Sequence, residues 1–103
     1  MSSITVSFIV PVLNESGRIG PLLEILASRY PASERVVVDG GSTDTTAAEA
    51  GPHCHHLIAS EAGRARQMNA GAKAASGDYL FFLHADTRPL ISDAELHGAL
   101  GCA

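Results

Sequence analysis

The feature that most constrains this chain is its first apolar stretch, Ile4 to Val12, which alternates briefly and then becomes almost continuously apolar. A strand with one wet face keeps alternating, whereas a strand covered on both faces has no polar side to preserve. The stretch therefore predicts a central strand with helices packed on both sides. A second strand is predicted at Arg35-Val36-Val37-Val38-Asp39, β-branched and broken by Gly40-Gly41. His55 to Ala59 predicts a weaker strand at an edge, and Asp78 to Leu83 a fourth strand.

Between these runs the periodicity becomes helical. Ile19, Leu22, Leu23 and Leu26 share one face of a helix expected from about Glu15 to Arg29. Pro11 and Asn14 end the strand before it, with Asn14 as N-cap, Glu15 in the first turn and Pro31 as the stop. Ser42 is expected to cap a helix from about Thr43 to Ala50, closed by Gly51-Pro52. Ala62 to Ala75 predicts an alanine-rich helix lying close on the sheet and ending at Ser76-Gly77. Ser92 to Leu100 predicts a last short helix, with Ser92 as cap and Glu95 at the capping-box position.

Strands alternating with helices, joined by crossovers too long for hairpins, predict an α/β fold with a mostly parallel sheet and right-handed connections. With the first strand central, the order becomes 3-2-1-4 in a three-layer, Rossmann-like arrangement. Ligands in such open sheets bind outside the carboxyl ends of the strands, where the order reverses. Pro11 and Asn14, Asp39, and His84 with Asp86 follow the first, second and fourth strands and face that crevice.

The 103 residues suit one domain, and 46% apolar with 17% charged residues is an ordinary globular balance. A net charge of −4 argues against nucleic-acid binding, which needs a basic patch. No apolar run approaches the roughly 20 residues of a transmembrane span. The first apolar stretch lacks the basic residues that precede a signal peptide core. Two cysteines, Cys54 and Cys102, do not make a secreted disulfide scaffold, so a cytoplasmic location is expected. Peripheral attachment to the inner face of the membrane is compatible with it.

In Asp39-Gly40-Gly41-Ser42 a strand-end carboxylate can accept a hydrogen bond from a base or ribose, while the glycines let a ligand approach the backbone. The alternative is a simple turn with a solvated Asp39. Asp86, just beyond Leu80 to Leu83, suits Mg²⁺ or Mn²⁺, hard cations that bridge phosphates. The alternative there is a loop-turning Asp beside Thr87. Arg64 or Arg66 on the alanine-rich helix could grip a phosphate with its guanidinium. A solvated helix face is the competing reading, preferred for Lys73. His53-Cys54-His55-His56 resembles a metal cluster, but neighbours on a strand point to opposite faces, so it is read as incidental. No P-loop, Gly-x-Gly-x-x-Gly or Gly-x-Ser-x-Gly pattern is present.

Four segments in order resemble the N-terminal half of family 2 glycosyltransferases of the GT-A fold. They are Phe8 to Glu15, Val36 to Thr45, Gly63 to Ala72 and Gly77 to Thr87. The resemblance implies a nucleotide-diphospho-sugar donor and a divalent metal, Mg²⁺ or Mn²⁺. It implies a nucleoside pocket lined by Pro11, Asn14 and Glu15, with Asp39, Gly40 and Ser42 at the base and Arg64 or Arg66 near base or phosphate. Asp86 matches the metal-binding Asp of the family's Asp-x-Asp motif, and His84 stands where its first Asp usually stands. Family members carry the acceptor contacts and catalytic base in a further half. Residues 1–103 are therefore expected to form the donor-binding domain, with catalytic residues and acceptor unassigned. The alternative is a non-catalytic nucleotide-sugar-binding module, or one that dimerises through an open sheet edge as a homo-oligomer.

Overall fold

A computed structural model describes residues 5–85. The expected strands form one parallel sheet: β1 (Val6–Val12), β2 (Glu34–Asp39), β3 (His56–Ala59) and β4 (Tyr79–Phe82), in the order β3-β2-β1-β4. The helices are α1 (Ile19–Arg29), α2 (Thr46–Ala50) and α3 (Arg64–Ala74), with a 3-10 turn at Gly51–His53. The helix expected at Ser92 to Leu100 lies outside the described residues.

β1 is central because both its faces are apolar. Val6, Phe8, Val10 and Val12 pack with Val37 against Ile19, Leu22, Leu23 and Leu26 of α1. Ile9 on the other face packs with Val36 and Val38 beneath Ala70 and Ala74 of α3. Three layers result, and the small residues of α3 set their spacing. A Cβ on Gly71 would lie 2.4 Å from Ile9 Cγ2 and 3.0 Å from Val38 Cγ2, so only a glycine lets α3 come this near.

Two local expectations fail, each for a reason of its own. Pro11 does not end β1, which continues to Val12. Residues Ile9 and Pro11 turn their backbone polar groups to the β4 side, where Leu83 N donates to Ile9 O at 3.0 Å and pairing stops. Proline there forfeits no ladder bond. Asn14 does not cap α1 either: the helix begins four residues later than expected, at Ile19, with Arg18 at its N-cap. The N–H groups that would have opened an earlier helix are bonded to side chains of the β2–α2 loop and of α2 instead.

Candidate functional site at the carboxyl ends of β1 and β2

The two loops that leave β1 and β2 are laced together. Asn14 N donates to Ser42 Oγ at 2.9 Å, and Asn14 Oδ1 accepts from Thr43 N at 2.9 Å. Glu15 N donates to Thr46 Oγ1 at 2.8 Å, Ser16 N to Asp44 Oδ2 at 3.2 Å and Gly17 N to Glu49 Oε1 at 2.7 Å. Asn14 sits at φ 54, a left-handed backbone that Asn tolerates better than most residues. These contacts explain both late helix starts, since α2 begins at Thr46 and not at Thr43. Ser42 is not the cap of α2; its hydroxyl belongs to the site. Bonds from the Thr46 hydroxyl and backbone hold the exposed Asp44 carboxyl below its ordinary range. The Ser16 and Thr45 hydroxyls and Gly17 N do the same for Glu49.

Asp39 closes its own turn. Its Oδ1 accepts from Ser42 Oγ at 2.7 Å, Ser42 N at 2.9 Å and Gly41 N at 3.2 Å. Gly41, at φ 101, supplies the backbone conformation the turn needs. The turn reading of Asp39 and the binding reading thus coexist, because one oxygen makes the turn. Its other oxygen, Oδ2, has no partner among the described residues and is the acceptor left for a ligand.

Pro11, Val12, Leu13, Glu15, Arg64, Gln67 and His84 line a cleft of about 160 Å³ beside this loop. Complete small-molecule pockets measure roughly 300–1,000 Å³, so the described residues form part of a wall and not a full enclosure. Of the two arginines nominated from sequence, Arg64 lines the cleft, while Arg66 is ion-paired with Glu61 at the surface. Lys73 is exposed on α3.

Sequence reasoning missed Gln67. Its amide is buried, donates from Nε2 to Val12 O at 2.9 Å and Val38 O at 3.0 Å, and accepts from Gly63 N at 3.3 Å through Oε1. A buried Gln on an otherwise small-residue face was the available signal, since such a group must find partners.

Asp86 lies outside the described residues. Among those described, no group of three or more His, Cys, Asp or Glu could hold a metal ion. The histidine cluster disperses: His55 Nδ1 accepts from Arg35 N at 2.9 Å, His56 Nε2 meets Glu34 at 3.3 Å and His53 Nε2 lies 3.8 Å from Glu24. Burial pushes the Cys54 thiol up despite the nearby Arg35 charge, which makes it a poor ligand.

Residues 7–95 match the family described as Glycosyl transferase family 2. The chain belongs to that family. Among its relatives, poly-beta-1,6-N-acetyl-D-glucosamine synthase of Staphylococcus aureus is 33% identical, over 80% of this chain and 22% of its own. In fold, the chain resembles S. aureus TarS 1–349, with a TM-score of 0.75 at 28% identity, covering 95% of this chain and 32% of that one. It also resembles the mannosyltransferase PcManGT from Pyrobaculum calidifontis, solved with GDP-Man and Mn²⁺, with a TM-score of 0.71 at 29% identity over 79% of this chain and 27% of that one. The chain thus spans about a third or less of each relative's length. Its sheet order and layering are those of the GT-A glycosyltransferases. No helix among the described residues is long and apolar enough to cross a membrane.

Proposed function

We propose that the cleft binds the nucleoside diphosphate of a sugar donor, and that the protein acts with Mg²⁺ or Mn²⁺ in transferring that sugar. What supports this is a cleft at the carboxyl end of β1 lined by Pro11, Glu15 and Arg64, next to a β2 turn in which Asp39 spends one carboxylate oxygen. Asp39 Oδ2 accepts a hydrogen bond from base or ribose. Pro11, Asn14 and Glu15 form the nucleoside wall, and Gly40 and Ser42 shape the loop beside it. Arg64 faces the diphosphate; Arg66, engaged with Glu61, takes no part. Residues 1–103 form the donor-binding domain in this reading.

Mg²⁺ and Mn²⁺ are commonly held by one or two protein carboxylates together with substrate phosphates, so no three-ligand protein cluster is needed. Asp86 would hold the ion, two residues beyond His84 in the cleft wall. When bound, the ion stabilises the charge that grows on a departing diphosphate. Arg64 adds positive charge in the cleft wall. Transfer requires an acceptor to lose a proton, and Asp44 and Glu49 are engaged in the loop network, so neither is assigned as base. The acceptor is unassigned. The reading places the protein in the cytoplasm.

One observation favours a second reading, a module that binds without turnover. Among the described residues β4 is an edge strand with Leu80 and Phe82 exposed, a surface suited to pairing with a second copy. Calorimetric titration of the full chain with UDP and with GDP, in Mn²⁺, tests the first. Binding of one diphosphate, lost in Asp39→Ala and in Asp86→Ala, supports it; no binding of either sinks it. Sugar release from the matching donor then separates transferase from binder, and light scattering that shows only monomer at high concentration removes the pairing role.

A further inference from the structure

We infer that Gln67 is the positioning residue of the donor site, a single amide that fixes the mutual placement of all three chain segments forming it. This rests on the nucleotide reading above.

The geometry is specific. The two hydrogens of Gln67 Nε2 go to two different strands, to Val12 O at the end of β1 and to Val38 O near the end of β2. The next residues along β1 lead to Asn14 and Glu15, and those along β2 are Asp39 and Gly40. The other end of the amide accepts from Gly63 N, the residue before Arg64. Gly63 has φ 136, a backbone only glycine adopts readily, so this start of α3 is held in a conformation the chain would otherwise leave. One buried side chain therefore spans the nucleoside wall, the Asp39 turn and the phosphate-facing arginine. It also lines the cleft itself.

β1 and β2 need such a clamp where the ladder ends. Their last paired residues are Val12 and Asp39, after which only Gly40 N, donating to Val12 O at 2.9 Å, continues the pairing. Beyond that point side-chain bonds such as Asn14 N to Ser42 Oγ replace the ladder, and the amide bridges both carbonyls where the one gives way to the other. Val12 O keeps its bond from Gly40 N when the amide is lost, but the link from both strand ends to the start of α3 at Gly63 goes with it.

Gly40 is the counterpart of Gln67. A Cβ on Gly40 would lie 2.9 Å from Gln67 Cδ and 3.0 Å from Nε2 and Oε1. The far end of a glutamine ordinarily yields, but here yielding means leaving Val12 O and Val38 O. Gly40→Ala should thus displace the amide without touching its chemistry, since Gly40 has no left-handed φ that would strain an alanine.

The test compares wild type, Gln67→Met, Gln67→Glu and Gly40→Ala as full chains, titrated with UDP and GDP in Mn²⁺ at a temperature where circular dichroism shows each folded. The expected result is that Gln67→Met and Gly40→Ala each weaken the diphosphate by roughly tenfold, and that the double variant is little worse than either. In Gln67→Glu the ionised carboxylate repels both carbonyls, so affinity should recover relative to wild type as pH is lowered from about 8 to about 5 and the buried acid protonates. A role in stability alone would lower the melting temperature and leave the affinity of the folded protein, and its pH profile, unchanged. Variant affinities within about twofold of wild type overturn this inference while leaving the nucleotide reading in place. If wild type binds neither diphosphate, the nucleotide reading fails and this inference with it.

Discussion

Individual residues here are fixed more by what they must avoid than by what they contact. Gly71 is the plainest case, since any side chain would meet Ile9 and Val38. Gly71→Ala is expected to destabilise the fold by about 1–3 kcal/mol, the usual cost of overpacking a filled core. A melting temperature unchanged from wild type would show that α3 can retreat at no cost. Asp39 divides its two oxygens between structure and ligand, so its substitutions should separate the two. Asp39→Asn keeps an oxygen for the Ser42 and Gly41 bonds but loses the charge. It should therefore stay folded while binding the diphosphate more weakly by about 1–2 kcal/mol, by calorimetry. Asp39→Ala loses the turn as well.

At the scale of elements, each end of the sheet carries its own polar lock, and the lock at the amino end is pH-sensitive. Glu34, at the start of β2, accepts from Ser7 Oγ at 2.8 Å on β1 and from Ser76 N at 2.8 Å and Oγ at 2.9 Å ahead of β4, and meets His56 of β3. Burial works against its charge, but these bonds outweigh burial and hold its carboxyl down at about 2. A carboxyl lowered on folding binds its proton more readily when unfolded. Its stabilisation is therefore complete above the unfolded value near 4.5 and is lost as pH falls from there towards about 2. Glu34→Gln should flatten the acid-unfolding curve in that window; an unchanged slope would mean the lock contributes nothing. The same competition between distant polar partners and local propensity explains the late starts of α1 and α2. Asn14 and Ser42 carry good capping chemistry, and both spend it across the gap between β1 and β2.

Across the whole molecule, what was legible in the sequence is what depends on pattern. The double-faced run through β1, the β-branched run of β2 and the alanine-rich α3 gave the layers and the order 3-2-1-4. The placing of Pro11, Asn14 and Asp39 near one end of the sheet followed from topology alone, whereas Glu15 and the choice of Arg64 or Arg66 came from the family resemblance. A Gln on an otherwise small-residue helix face signalled that it must find partners, but two of them, Val38 and Val12, lie 29 and 55 residues away and could not be named from the sequence. Nor could sequence separate Arg64, which lines the cleft, from Arg66, which pairs with Glu61 at the surface. The central claim, that a nucleoside diphosphate lies across the ends of β1 and β2, is tested most directly by amide NMR of the full chain titrated with UDP and with GDP in Mg²⁺. The account predicts that one of them shifts the amides of Asn14, Gly40, Gly41 and Arg64 together. Shifts confined to β3 and the outer edge of β4, or none with either nucleotide, would contradict it.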